Sequence, residues 1–461
     1  MKSLVWLRRD LRLHDHVALF NAIHDSNELY ICFIFDTLIL NELPNKKDRR
    51  VEFIFDVLNN INAQLKKYHG QLIILYGDPC FEIPKLCHQL KIDTVFTNED
   101  YETYAIHRDE KIRNILQSEK INFRLFKDQV LYRYDEVLNQ SEKPYSVFTP
   151  YKNNHLKKLM SEGIKNYEID LTKVKLGTVD DMKQPYQLED IGFKKTNLKD
   201  LKISTSYKEI QNDIHDFTKR IKAYEVNRNF PAIKGVSYLS IHNRFGTVSI
   251  RELASLCLKN PSPGGEVWLS ELIWRDFYFQ IIVNFPHVQK NQSFKKEYNN
   301  LNYENNEYFF ELWCKGKTGF PIVDAAMRQL NQTGFMHNRL RMIVASFLTK
   351  DLLIDWRWGE KYFADNLNDY DFSANNGGWQ WAASVGCDAQ PWFRIFNPTL
   401  QSKKFDPEAK FIKKYIPEIL ELDQKEIHDP YLIKSKKVAY PNPVINHAEQ
   451  REKALLMFRN I

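Results

Sequence analysis

The chain has 461 residues, 43% of them hydrophobic and 27% charged, with a formal net charge of +6 at pH 7. Such a length exceeds one ordinary core and such a balance is that of a globular chain, so two domains are expected and a disordered polymer is excluded. No apolar run approaches the ~20 residues of a membrane span, no secretory pattern opens the chain, and the cysteines at 32, 80, 87, 257, 314 and 387 include no C-x-x-C pair, which argues against a zinc site or disulfide framework and suits a reducing cytosol. The mild positive excess permits a polyanionic partner without requiring one. Nine tryptophans, within 13% aromatic residues, are more than a packed core ordinarily needs.

Residues 1–130 alternate strand and helix. Leu4–Leu7, Leu29–Phe35, Leu72–Tyr76, Thr94–Phe96 and Asn122–Phe126 are apolar runs of buried-strand length. Helical periodicity fills Asp15–Ser26, Arg49–Tyr68, Pro79–Leu90 and Ala105–Ser118. The pattern predicts an α/β domain with a five-stranded parallel, doubly wound sheet. No G-x-G-x-x-G follows the first strand, so the dinucleotide fingerprint is absent. Arg8-Arg9-Asp10-Leu11-Arg12 stands there instead. It reads as an anion-handling loop or as a salt-bridged surface turn, and by itself the turn is the better reading.

Residues 131–202 turn polar and lose apolar periodicity, the mark of a long interdomain connector laid over the surface. Within it, Tyr145-Ser-Val-Phe-Thr-Pro150 is an apolar patch expected to anchor the connector. Residues 203–461 are predicted as an all-helical domain. Its helices are expected over Asp213–Tyr224, Ser249–Leu258, Gly265–Phe285, Glu307–Lys315, Pro321–Thr333, His337–Lys350, Asp355–Leu367 and Trp379–Val385. The last sixty residues are lysine-rich, with Lys434, Lys436 and Lys437 in one short run.

Three stretches of the helical part carry chemistry. In Trp268–Tyr278, Glu271, Trp274, Arg275 and Tyr278 fall at i, i+3, i+4 and i+7, one face of a helix. A carboxylate, an indole, a guanidinium and a phenol are costly to bury together without polar partners, and a flat heteroaromatic ligand with an anion would satisfy them. The plain alternative is a half-exposed helix with an internal Glu–Arg pair. In Met336–Met342, Asn338, Arg341 and Met342 repeat the arrangement; Arg341 is a natural ion-pair partner for Asp369 or Asp371, and Met342 a polarisable contact for a ring face. His337 reads as a hydrogen-bonded structural histidine. The third stretch, Asp369–Ser384, packs two carboxylates, Asn375-Asn376, Gly377-Gly378, Trp379 and Trp381 into sixteen residues. It reads as a turn followed by a helix on which the two tryptophans face opposite ways. A weaker signal is the glycine-led turn from Gly235 to Ser240, a candidate phosphate loop or an ordinary helix cap.

Taken in order, these stretches resemble the photolyase/cryptochrome family, most closely class I DNA photolyases that repair cyclobutane pyrimidine dimers. The motifs are Trp6–Arg12, Tyr145–Pro150, Arg228-Asn-Phe-Pro231, Trp268–Tyr278, Thr318–Arg328, Met336–Met342, Asp369–Ser384 and Phe393–Pro398. The resemblance implies FAD in the helical domain, lined by Tyr224, Val236, Ser237, Tyr238, Leu239, Ser240, Trp268, Glu271, Arg275, Asn338, Arg341, Asp369, Asp371 and Asn375. Val236 stands where a hydroxyl residue is common, which shifts the phosphate contact to Ser237 and Ser240. Asn375 matches the residue beside flavin N5. The implied activity is light-driven electron transfer from reduced FAD to a flipped-out dimer, with Glu271, Asn338 and Asn375 in catalytic positions. Arg228, Glu271, Trp274, Arg275, Tyr278, Asn338, Arg339, Met342, Trp381 and Gln401 match DNA- or dimer-contacting positions.

Trp379, Trp356 and Tyr303 match the family's photoreduction path, with tyrosine where the outermost residue is usually tryptophan. Folate-binding members carry Asn-Glu where Tyr104-Ala105 falls, although Lys290 matches another folate contact. The antenna therefore stays open among methenyltetrahydrofolate, a deazaflavin or none. The resemblance further implies a monomer in a bacterial cytoplasm, with the nucleoid, holding no metal. Its rivals are a cryptochrome-type photoreceptor, disfavoured by Asn375, and repair of (6-4) photoproducts, whose paired histidines His337-Asn338 does not supply.

Overall fold

Strand β1 (Lys2–Leu7) buries five of its six residues, because helices cover both faces of the sheet it centres. The strands that follow are β2 (Glu28–Asp36), β3 (Leu72–Gly77), β4 (Thr94–Asn98) and β5 (Asn122–Phe126). They pair in parallel in the order β3-β2-β1-β4-β5. Leu4 sits opposite Tyr30 on one side and Val95 on the other. The crossovers are α1 (Val17–Asp25), α2 (Thr37–Asn41), α3 (Arg49–Lys66), α4 (Pro79–Leu90) and α5 (Thr103–Ser118). The computed structural model describes residues 1–179, 184–185, 187–432 and 438–461; Lys434, Lys436 and Lys437 lie outside them.

The five expected strands are present, and the polar segment after them holds more order than its composition suggested. It contains α6 (Phe148–Glu162) and a sixth, two-residue strand, β6 (Lys175–Leu176), which pairs with β2. Helix α6 buries only Phe148, Tyr151, His155 and Leu159. That single narrow stripe among lysines and asparagines, with Pro150 in the first turn, leaves too faint a period to read. A two-residue strand leaves no period at all.

The remaining helices are α7 (Tyr207–Arg220), α8 (Tyr224–Asn227), α9 (Ser240–Phe245), α10 (Ile250–Lys259), α11 (Pro263–Asn284), α12 (Glu307–Lys315), α13 (Pro321–Thr333), α14 (Asn338–Ser346), α15 (Trp356–Asn366), α16 (Phe372–Ala383), α17 (Pro398–Phe405), α18 (Lys410–Tyr415) and α19 (His447–Arg459). Two depart from expectation in ways that matter below. Helix α16 begins at Phe372 rather than Trp379, because the Asp371 side chain caps it by accepting from Ser373 N. The glycine pair therefore lies inside the helix. The helix expected over His337–Lys350 ends as α at Ser346 and continues as one π-type turn, Phe347–Asp351. No helix among the described residues is long and apolar enough to cross a membrane.

The arginine-rich segment after β1 is neither a surface turn nor an anion loop. Its arginines are withdrawn from solvent and matched to carboxylates on both halves of the chain. Arg12 Nη2 lies 2.7 Å from Asp128, which also takes Arg251 Nη2 from α10 at 2.8 Å. Arg9 pairs with Glu102 at 2.7 Å and with Asp371, at the head of α16, at 2.6 Å. Burial opposes the charge on Asp128, yet Arg12 and Arg251 outweigh it and hold its carboxyl well below the usual range. The Asp128 contribution is thus present above the ordinary aspartate pKa and lost as pH falls through the lower native value. Asp128→Asn takes from buried Arg12 its carboxylate and leaves Arg251 with the Asp15 carboxylate alone, and is expected to lower the unfolding free energy by about 3–5 kcal/mol. Denaturant unfolding at neutral pH measures this, and an unchanged midpoint would show the carboxylate to be dispensable.

Candidate functional site

Helices α11, α14 and α16 converge on a cavity of about 430 Å³. Each presents the face its sequence marked: Glu271, Trp274, Arg275 and Tyr278 from α11, Asn338, Arg341 and Met342 from α14, and Asn375, Gly378, Trp379 and Trp381 from α16. A second cavity of about 570 Å³ runs beside Ser237, Tyr238 and Ser240. The two share Ser240 and Asp369 on their walls.

Glu271 does not pair with Arg275 one turn on. Its Oε1 accepts from Arg228 Nη1 at 2.6 Å, while Arg275 donates to the Gln129 carbonyl. Trp274 is stacked face to face on Phe148, with ring centroids 3.6 Å apart and 9° between planes. The apolar patch of the connector therefore buttresses one wall of the cavity. Of the two expected partners, Arg341 takes Asp369, at 2.8 Å. Asp371 is taken by Arg9, and although burial opposes its charge, Arg9, Arg244 and Arg275 hold its carboxyl below the ordinary range.

The glycine pair on α16 divides its work. A Cβ on Gly377 would lie 2.2 Å from the Tyr278 ring, so only glycine lets α16 and α11 approach this closely. A Cβ on Gly378 would meet nothing within 4 Å, because that position opens on the cavity. Beside it, Asn375 Nδ2 donates to the Glu360 main-chain carbonyl at 3.1 Å. This hydrogen bond fixes the amide and leaves Oδ1 as the acceptor available to the cavity. Asn376 Nδ2 donates to Glu360 Oε1 at 3.0 Å.

Several expected residues stand off these walls. Trp268 is core, 4.8 Å from Phe217 between ring centroids, and Tyr224 packs on that same phenylalanine. Leu239 is buried, and Val236 shows the loop its carbonyl, which accepts from Arg220. Arg339 Nη2 is held by Asn229 at 2.6 Å, with its guanidinium over Phe405, and Gln401 belongs to α17. Of the three electron-path residues, Trp379 lines the cavity, Trp356 is wholly buried, and Tyr303 is half-buried with an unpartnered hydroxyl. A Cβ on Gly359 would lie 2.1 Å from Trp379, so α15, which carries Trp356, lies directly against that indole. Tyr104 donates to Asp36 at 2.6 Å, and Gln289, beside Lys290, accepts from Thr103 N at 2.8 Å. Residues not anticipated on the cavity include Asn243 and Arg244 from α9.

Family models for "DNA photolyase" and "FAD binding domain of DNA photolyase" match residues 3–169 and 268–460. A deoxyribodipyrimidine photo-lyase of Vibrio cholerae is 37% identical over 470 residues, covering 99% of each chain. The crystal structure of a class III photolyase from Agrobacterium tumefaciens superposes with a TM-score of 0.89 at 30% identity, over 100% of this chain and 97% of that one. A cryptochrome from Synechocystis sp. PCC6803 does so with a TM-score of 0.89 at 25% identity, covering 99% of each. The chain belongs to the DNA photolyase family, and its helical half is an FAD-binding domain.

The walls suit that cofactor. Two cavities that share Ser240 and Asp369 on their walls offer room for an elongated ligand; Asn375 lines one of them, and His337, whose buried Nε2 has no partner among the described residues, lines the other. Behind Asn375, burial pushes the Glu360 carboxyl up to about 7. A native group that keeps its proton above the pH at which the unfolded one loses it costs stability as pH rises. Here the loss runs from the ordinary glutamate value to about 7 and is complete above it. Glu360→Gln is therefore expected to gain on wild type by on the order of 3 kcal/mol between about pH 5 and about pH 8. Unfolding curves at both pH values measure it; an equal difference at each would refute the assignment.

Proposed function

We propose that this protein binds DNA and repairs cyclobutane pyrimidine dimers under blue or near-ultraviolet light. The observation that supports the reading is one cavity lined by Asn375, Arg341 and Asp369 together with Glu271, Trp274, Met342 and Trp381, of which the first three would face the cofactor and the other four the bases. FAD held there in its reduced form would supply light-driven one-electron chemistry to the dimer.

The protein's part is to hold and exclude. Asn375 offers a neutral acceptor, fixed by Glu360, so it adds neither proton nor charge beside the flavin. Asp369, on the walls of both cavities and tied to Arg341, would help hold the cofactor between them. Trp274 and Trp381 give flat apolar faces to bases extruded from the duplex, each base–aromatic stack contributing about 1–3 kcal/mol. Glu271, steadied by Arg228, and Asn338 address the polar base edges. Arg228, Arg275, Tyr278, Arg339 and Gln401 serve the flanking DNA, so binding weakens with salt.

The cryptochrome likeness favours a second reading, a photoreceptor using the same flavin site without repair. Illumination of reduced protein with a dimer-bearing oligonucleotide separates the two. Repair predicts loss of the lesion and, for Trp274→Ala and Trp381→Ala, lesion affinity weaker by about 1–3 kcal/mol each. Intact lesion after illumination would leave the photoreceptor.

Trp379, Trp356 and Tyr303 are proposed to refill the flavin with electrons. Trp379→Phe is then expected to abolish photoreduction of oxidised flavin while chemically reduced protein still repairs. Tyr303→Phe is expected to slow photoreduction, because a phenol gives up an electron readily only with its proton, and phenylalanine has none to give. Unchanged absorbance transients in both variants would remove this path.

A further inference from the structure

His337 lies at the junction between α14 and the larger cavity. It is 3% exposed and belongs to the cavity wall together with Tyr238, Phe335 and Asp369. Its Nδ1 accepts from the backbone N–H of Arg339 at 3.2 Å and so caps α14. A neutral imidazole has one protonated nitrogen, and since Nδ1 accepts, the proton sits on Nε2. That Nε2 is buried and has no partner among the described residues. Burial first, then the positive charges of Arg339, Arg341 and Arg228, push the ring down to about 4, which keeps it neutral at physiological pH. A buried N–H without an acceptor is costly, and the wall it belongs to borders the space the cofactor needs.

We propose that His337 is a cofactor-positioning residue: its Nδ1 caps α14 while its Nε2–H donates to an acceptor atom of FAD in the larger cavity. The inference rests on both cavities being filled by one FAD. It gives the helix that carries Asn338, Arg341 and Met342 a direct tether to the cofactor, through a donor that contributes no charge.

Two substitutions separate the ring's nitrogens. His337→Asn keeps an acceptor near the Nδ1 position and so keeps the cap, but loses the far donor. His337→Gln places an N–H group near the Nε2 position and loses the cap. Release of FAD from the holoprotein, followed by the rise of free-flavin fluorescence, is expected to be about 3- to 10-fold faster in the Asn variant, the loss of one net hydrogen bond. The Gln variant is expected to release FAD within about twofold of wild type while its apoprotein melts at lower temperature. Loading the wild-type apoprotein with FAD is expected to shift the ¹⁵N and ¹H signals of His337 Nε2–H. Wild-type release rates in both variants, faster release in the Gln variant alone, or an unmoved Nε2–H signal would each overturn the proposal. A wild-type protein that takes up no FAD would overturn this proposal and the parent reading together, and is told apart by its flavin spectrum.

Discussion

One carboxylate joins the two halves of this molecule. Asp371 Oδ2 receives Arg9 from the end of β1 at 2.6 Å, while Oδ1 accepts from Ser373 N and Oγ and starts α16. The helix that carries Asn375, Gly378, Trp379 and Trp381 therefore takes its origin from a charge that the parallel sheet holds in place. Burying that carboxylate is affordable because three guanidinium groups surround it. Of these, Arg9 stands off the cavity wall, so its removal would act on the site through the origin of α16.

From that origin outward, position is passed on by main-chain atoms rather than by loops. Glu360 on α15 orients the Asn375 amide through its carbonyl oxygen, which no change of side chain at 360 removes. Gly359, one residue earlier, is what allows α15 to lie against Trp379. The same turn of α15 thus sets both the acceptor and the indole. Such rigid, cap-and-carbonyl positioning is what a site needs when it must hold reacting groups to within a fraction of an ångström.

The parts legible in the sequence are those governed by local period. The α11 face declared itself at i, i+3, i+4 and i+7, and the buried strands as short apolar runs, because both depend only on neighbours. The Arg341–Asp369 pair was legible as one of two choices; what decided it, Arg9 claiming Asp371, spans 362 residues and leaves no local trace. Trp268 and Tyr224 show what packing adds to such a reading. Both match ligand positions by resemblance, and both also pack on Phe217, a contact that local period does not reveal. Helix α6 was hidden by its narrow buried stripe, and the start of α16 by a glycine pair that reads as a turn until Tyr278 is seen filling the space a Cβ would occupy.

The electrostatics of the cavity follow from the kind of chemistry proposed for it. A proton-transfer site needs groups poised to change charge, whereas a site that lends an electron needs surroundings that do not respond to it with protons. Near the Asn375 side of the cavity the chain supplies a fixed amide, and burial keeps the carboxyl behind it protonated up to about pH 7. On the α14 side it supplies an imidazole depressed to about 4. The carboxylates on the cavity wall, Glu271, Asp369 and Asp371, are each tied to an arginine at 2.8 Å or closer. The wall thus presents a fixed amide and paired carboxylates, with Arg244 and Arg275 as cations that do not release protons, and the carboxyl that titrates near neutrality, Glu360, stands behind Asn375 rather than on the wall.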